Sequence, residues 1–235
     1  MVPLSFAPLE FAGHEMLLAS GRALYWPGEG TLLLADLHLE KASWFAQRGS
    51  LLPPYDSRET LERVADAVKQ TGARRVITLG DNFHDDAGTA RLDPHATGML
   101  EALTRALDWV WITGNHDTQM PRAFGGTVVD EMELGGVVLR HEAQPGETRC
   151  EMSGHFHPKV RVNVRNRHIS RPCAVIGHGS GRASRIILPA FGTLTGGMDA
   201  GAPEIRAALM PASRIDAVLP AKGKLVQLPL FRAAA

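Results

Sequence analysis

Three short apolar runs along the chain each end in polar residues. Thr31-Leu-Leu-Leu-Ala35 ends at Asp36, Arg75-Val-Ile-Thr-Leu79 at Gly80-Asp81, and Trp109-Val-Trp-Ile-Thr113 at Gly114-Asn115-His116. Unbroken apolar runs of this length suit strands buried on both faces. Helical periodicity fills the gaps between them. From Asp56 to Gln70, Leu61, Val64, Ala65 and Val68 recur at helical spacing, with Asp56 as a capping acid, Glu59 three residues on and Gly72 as the stop. Asp93-Pro94 opens a second helix that carries Met99, Leu100, Leu103 and Leu107 toward a sheet. This alternation predicts a mainly parallel α/β arrangement up to about residue 113. Its polar residues lie just past strand C-termini, where open α/β sheets place their sites.

The pattern then changes. Glu131 to Leu139 reads as a hairpin turning at Gly135-Gly136, and Val160 to Val164 alternates again. Ile186 to Leu188 and Leu225 to Leu230 are further strand candidates. The second half is therefore expected to form a second sheet packed on the first. Gly196 to Pro203 reads as a loop inside one domain spanning residues 1–235, not as a linker.

Composition narrows the class. The 235 residues are 44% hydrophobic and 21% charged, as in ordinary globular proteins, and the formal charge is zero. No global basic field advertises nucleic acid, so any such contact needs a local patch. The sharpest candidate is Lys159 to Arg171, where Lys159, Arg161, Asn163, Arg165 and Arg167 alternate with Val160, Val162 and Val164. Two readings stay open: a phosphate-backbone track, or a solvated strand face. Cys150 and Cys173 do not make a disulfide framework and are expected as thiols of a reducing cytosol. The N-terminus lacks a signal-peptide pattern, and no apolar run approaches the ~20 residues of a membrane span, so a cytoplasmic protein without membrane contact is expected.

Candidate metal-binding side chains fall in one order: Asp36-x-His38, Asp81, Asn115 followed by His116 and Asp117, His141, then His155-x-His157. Residues two apart past a strand end can point to the same side. Asp81 can bridge two cations through its two oxygens, and neutral imidazoles favour Mn, Fe, Zn or Ni over Mg or Ca. Two cations about 3.5–4 Å apart are a known device for attack at phosphorus. The set reads as a binuclear phosphoesterase site.

These motifs, roughly from Asp36 to Pro158, resemble those of the calcineurin-like metallophosphoesterases. The resemblance implies a four-layer α/β fold, with two mixed sheets sandwiched between helices. It implies one cation held by Asp36, His38, Asp81 and His157, and a second by Asp81, Asn115, His141 and His155. It further implies attack by a bridging hydroxide, with His116 protonating the leaving oxygen and Asp117 holding His116 in the right tautomer. Asp36-Leu-His-Leu-Glu-Lys41, Trp44-Phe45, Leu52-Pro-Pro54, Gly80-Asp-Asn-Phe-His-Asp85, Leu188-Pro-Ala-Phe-Gly192 and Thr195-Gly-Gly197 resemble a narrower bacterial branch, the ligase-associated metallophosphoesterases described as DNA-damage-response endonucleases. That likeness implies two divalent ions, Mn2+ first and Fe, Zn or Ni as other candidates, and single-stranded DNA, without sequence specificity, as a candidate substrate. It also implies a functional link to a DNA ligase, a helicase and an exonuclease in DNA repair. A small-molecule or nucleotide phosphodiesterase or phosphatase is the alternative.

The stretch after Gly80-Asp81 has no phosphate-gripping arginine and resembles the Gly-Asp-x-Phe-His form of double-strand-break repair nucleases, which gives His84 a phosphate-contacting role. The alternative for His84 is a loop cap or a support for Asp81. His14, His95, His168 and His178 match no motif position, with His95 expected in solvent and His178 in a surface loop. Glu40 and Lys41 are expected as a surface pair or as supports behind the ligands.

Overall fold

The computed structural model describes residues 4–117, 124–164, 166–179 and 183–233. Two seven-stranded mixed sheets make up most of it. The first runs β1 (Phe6–Phe11), β2 (His14–Ala19), β3 (Leu24–Trp26), β4 (Thr31–Leu34), β5 (Arg75–Leu79), β6 (Asp108–Ile112) and β7 (Thr127–Val129), in sequence order across the sheet. β1 to β4 pair antiparallel, and β4 to β7 pair parallel. The second sheet is built from β8 (Glu131–Leu134), β9 (Val137–Arg140), β10 (Cys150–Ser153), β13 (Ala174–His178), β14 (Ser184–Ile187), β15 (Arg214–Ala221) and β16 (Lys224–Arg232), in the order β16-β15-β13-β14-β10-β9-β8. Its centre, β9-β10-β14, is parallel. A separate antiparallel pair, β11 (Lys159–Val164) and β12 (Arg167–Pro172), joins β10 to β13.

The apolar runs explain the layers. In β4, Leu32 and Leu34 face the helices, while Leu33 and Ala35 face the other sheet. β6 divides the same way, with Trp109 and Trp111 on the helix side and Val110 and Ile112 on the sheet side. The core between the sheets is completed by Val137, Leu139, Met152, Ala174, Ile176 and Ile186. Helices α2 (Asp56–Thr71) and α4 (Pro94–Ala106) cover the outer face of the first sheet through Leu61, Val64, Ala96 and Leu100. The one-turn α3 (Gly88–Arg91) lies between them in the chain. One short helix, α5 (Pro203–Leu209), covers the second sheet with Ile205, Ala208 and Leu209. The order is helix, sheet, sheet, helix. Burial on both faces is what removed the polar alternation from these strands.

Several expectations hold in detail. Asp93 accepts from His95 N and Ala96 N to cap α4, and Gly72 ends α2 in a left-handed turn. Gly135 and Gly136 both take positive φ at the β8–β9 hairpin. Asp56 behaves differently from the reading above. Tyr55 is the N-cap position of α2, and the Asp56 carboxylate accepts from Ala42 N at 2.9 Å, in the first turn of α1 (Lys41–Ala46). The acid caps its neighbour's helix. Glu40 is likewise no surface group. It is buried, and its carboxylate accepts from Ser57 Oγ at 2.7 Å. The antiparallel meander β1–β3 was not anticipated, although Ala7, Leu9 and Phe11 alternate inward; Pro8 is tolerated because β1 is an edge strand. Among the described residues no helix is long and apolar enough to cross a membrane.

The second sheet carries a buried ion cluster. Glu151, fully buried in β10, lies 3.6 Å from Arg140 and 3.5 Å from Arg185, and both guanidinium groups are nearly inaccessible. Burial holds the Glu151 carboxyl above the usual carboxylate range, and the two arginines offset only part of that rise. Removing one member of such a cluster strands the others. Glu151→Ala should cost about 3–5 kcal/mol in urea unfolding. Glu62→Ala, which breaks only the exposed pair with Arg58, should cost about 0.3–0.5 kcal/mol.

Candidate metal centre

The C-terminal ends of parallel strands from both sheets meet at one seam. Asp36 and His38 follow β4, Asp81 follows β5, Asn115 to Asp117 follow β6, His141 follows β9, and His155 and His157 follow β10. Asp36, His38, Asp81, His155 and His157 all have positive φ, between 45° and 71°. Asp and His enter this region more readily than most residues, yet it still costs on the order of 1–3 kcal/mol per position. Backbone bonds across the seam hold the turns. His38 N donates to Asp81 O at 2.9 Å, Leu39 N to Asn82 O at 2.9 Å, and Gly154 N to His141 O at 2.8 Å. The motif glycines permit this closeness. A Cβ at Gly154 would lie 2.7 Å from Asp36 Oδ2, and one at Gly114 would collide with the Asp81 backbone.

Among the described residues three groups of donor atoms result, one of them His38, His84 and His116, and the other two built from the motif carboxylates and histidines. The ligand atoms of Asp36, His38, Asp81 and His157 all lie within 4.8 Å of one another, as do those of Asp81, His141 and His155. Asp81 belongs to both. Its Oδ2 lies 3.6 Å from His38 Nε2 and its Oδ1 lies 3.4 Å from His141 Nε2. Asn115 Oδ1 joins the second group, 2.9 Å from His141 Nε2 and 3.0 Å from His155 Nδ1.

Proton inventory tests whether cations fit. His141 Nδ1 is 3.0 Å from the Leu79 carbonyl, which can only accept, so that nitrogen carries the proton. Its Nε2 is then a lone pair facing Asn115 Oδ1, Asp81 Oδ1 and His155 Nδ1. One proton on His155 could serve one of these acceptors, whereas a cation serves all of them. Burial lowers the pKa values of His38 and His155, keeping both imidazoles neutral and able to ligate. Nitrogen and carboxylate donors together suit Mn, Fe, Zn or Ni. The residues fit two divalent ions.

The three candidate catalytic residues lie beside this cluster in different roles. His116, half-buried, donates Nδ1–H to the His84 carbonyl at 2.8 Å, which leaves Nε2 as its reactive atom. Asp117 does not supply that bond. Its two oxygens accept from Gly114 N at 2.9 Å, Asn82 N at 2.6 Å and Phe83 N at 3.3 Å. The carboxylate thus ties the β5 and β6 loops together, and burial pushes it up to about 6. His84 stacks on His116 with ring centroids 4.9 Å apart and brings Nδ1 to 3.4 Å from His38 Nδ1. Burial, helped by the Lys41 ammonium, lowers His84 to about 4, so its ring is neutral.

Other positions emerge only here. Trp44 packs edge-on against His84 at 4.8 Å, and Arg48 lies 3.6 Å over the Trp44 ring. Lys41 is half-buried and within electrostatic reach of Asp81, His38 and His84. The segment 188–192 crosses from the second sheet to the first: Phe191 N donates to Ala35 O at 2.7 Å and Gly192 N to Asp36 O at 3.2 Å. Arg63 holds it from α2, through the Phe191 carbonyl at 2.8 Å, and Arg22 through Ala190 O at 3.0 Å. Sequence reading singled out this segment by resemblance alone, because its partners lie more than a hundred residues away. His14 and His95 stay apart from the ligands, the first on Gly135 O at 2.9 Å and the second exposed. His178 is not in a loop but ends β13, 3.1 Å from Asp216. His168 is exposed on β12.

Comparison with known proteins bears on the family and the fold. The sequence profile of the calcineurin-like phosphoesterases matches residues 31–219. A solved structure of the Pseudomonas putida nuclease MPE superposes with a TM-score of 0.69 at 30% identity, covering 95% of this chain and 100% of that one. No curated protein sequence matches this chain. The profile covers every strand end that delivers a ligand, and on that ground the chain belongs to the calcineurin-like phosphoesterases, a family of metal-dependent hydrolases.

Proposed function

We propose that this single domain is a two-metal phosphodiesterase acting on nucleic acid, a DNA endonuclease able to cut within a single strand. The observation that carries the reading is the double donor group sharing Asp81, with the His116 backbone bonded to Asp81 and the His116 ring grouped with His38 and His84. The likeness to the Pseudomonas putida nuclease supports a nucleic-acid substrate, and the resemblance to the ligase-associated branch supports a place in DNA repair in the cytoplasm, beside ligase, helicase and exonuclease. Two divalent ions, Mn2+ first among them, would be held by Asp36, His38, Asp81 and His157 and by Asp81, Asn115, His141 and His155. They would supply Lewis acidity toward a phosphoryl oxygen and an attacking water.

The chain's own groups do the rest. Asp36 and Asp81 hold the ligand loops as well as offering oxygens: Asp36 accepts His155 N at 3.0 Å, and Asp81 accepts His116 N at 3.0 Å. That second bond ties the His116 backbone to the shared carboxylate. With Nδ1–H fixed on the His84 carbonyl, a protonated His116 can give up a proton only from Nε2, to the leaving oxygen. His84, neutral and stacked on His116, faces the same space and can contact a phosphate oxygen through its ring. Asp117 acts through the backbone, keeping Gly114 and Asn82 where His116 and Asp81 need them.

Three outcomes follow from this division. Mn2+-loaded protein should linearise circular single-stranded DNA, and EDTA or Asp81→Asn should abolish cutting, the latter with reduced metal content by elemental analysis. Intact circles alongside hydrolysis of a small diester would move the substrate to a small molecule. His116→Ala should lower kcat by on the order of 10²–10⁴-fold with metal content and Tm unchanged. Asp117→Ala should lower activity and Tm together, since it strands backbone donors at about 1–3 kcal/mol for each one left buried and unpaired; an unchanged Tm would return Asp117 to a role on His116.

A further inference from the structure

The β11–β12 pair lies outside both sheets and carries charge of one sign. Residues 159–172 hold Lys159, Arg161, Arg165, Arg167 and Arg171 and no Asp or Glu, in a chain of formal charge zero. Arg165 lies outside the described residues. Register shows how the others are displayed. Arg161 sits opposite Ser170 and Asn163 opposite His168 on one face, while Arg171 sits opposite Val160 and Arg167 opposite Val164 on the other. The sequence pattern alone suggested one cationic and one apolar face; the partner strand places arginines on both.

The arm has little reason to be uniform for folding. Val160 anchors the root of the arm in the core beneath α5. Arg161, Arg167 and Arg171 are exposed, and Val162 is 37% exposed. A solvated hairpin is served as well by mixed signs, and crowding like charges on a short pair is mildly destabilising. A strand face needing only solubility therefore does not account for five cations and no acid. Guanidinium groups are also the side chains that match phosphate oxygens bidentately.

Its position points to the same ligand. The arm starts two residues after His157, and Lys159 N donates to Met198 O at 2.8 Å. Lys159 Nζ reaches Thr195 O at 3.4 Å and Arg161 Nη2 reaches Gly197 O at 3.2 Å. That loop begins at Gly192, whose N–H bonds to Asp36 O at 3.2 Å. The basic arm and a ligand turn are thus connected through one short loop. Six residues in each strand give the arm a length of roughly 20 Å.

We propose that the β11–β12 arm is the docking surface for the phosphodiester backbone of a nucleic-acid strand whose scissile bond lies in the metal centre. This rests on the nucleic-acid reading above and adds the surface that delivers the strand.

The test compares the Mn2+-loaded wild type with Arg161→Gln/Arg167→Gln/Arg171→Gln, and with Arg167→Gln alone near the arm's tip. Substrates are a single-stranded oligonucleotide and bis-p-nitrophenyl phosphate, between 50 and 200 mM salt. For the triple variant, KM for the oligonucleotide should rise about tenfold or more at the lower salt, with a smaller rise at the higher salt. The slope of log KM against log salt should flatten by about 2, because each phosphate contact on a single strand contributes ~0.7. Diester kinetics and the oligonucleotide kcat should be unchanged, and Arg167→Gln should show the same trend in smaller measure. An unaltered KM and salt slope would overturn the proposal while leaving the nuclease reading intact. Equal loss of diester hydrolysis would assign the arm to shaping the metal centre and also overturn docking. A wild type that hydrolyses the diester but neither binds nor cuts DNA or RNA would overturn the nucleic-acid reading and the arm with it.

Discussion

Lone pairs held against one another are the constraint around which the rest of the structure is arranged. Asp36, Asp81, Asn115 and the four histidines proposed to hold the cations present acceptor atoms within a few ångströms, a grouping that protons alone satisfy only in part. Three of these groups are kept in place by something other than their neighbours' attraction. His141 is tethered by the Leu79 carbonyl, Asp36 by the backbone of His155, and Asp81 by the backbone of His116. The scaffold opposes their separation, and divalent ions are the partners that would make the assembly favourable.

Such tethering needs an unusually close approach of backbones. Strand ends from two different sheets converge, so successive ligand turns must pass almost in contact. Glycine at 114 and 154 removes the Cβ atoms that would intrude, and left-handed φ values at five ligand residues turn side chains back toward the seam. The strain is local. The layers that offset it are the inter-sheet core and the helix-covered outer faces, which fix the strands from both sides. Segment 188–192, bonded to Ala35 and Asp36 and held by Arg22 and Arg63, closes the seam from the second sheet.

Charge is partitioned by the same logic. The buried arginines Arg140 and Arg185 share Glu151 within the second sheet, and Glu131 and Glu147 also reach Arg140, so opposite signs meet there. Exposed cations instead gather on the β11–β12 arm with no acid among them. A net charge of zero thus conceals a strongly local asymmetry, and the arm grows from the chain immediately beyond the last ligand.

Much of the frame was legible in the chain because local rules act alone there. The apolar runs at β4, β5 and β6, the Asp93-Pro94 helix start and the Gly135-Gly136 hairpin each depend on a few adjacent residues. Ligand types and their order were legible too, since a donor atom is a property of the side chain. Who pairs with whom was not. Asp56 looks like the cap of its own helix but bonds Ala42, Glu40 looks like a surface acid but is buried on Ser57, and Asp117 looks like the partner of His116 but ties backbone loops. A short polar side chain next to a turn has several donors within reach, and only the packing of distant segments decides which one arrives. Local pattern alone was enough for β4, β5 and β6, for the types and order of the candidate donors and for the glycines beside them, but not for the meander β1–β3. The tertiary structure decided how protons and hydrogen bonds are shared among those donors, because that depends on contacts between segments up to about 120 residues apart.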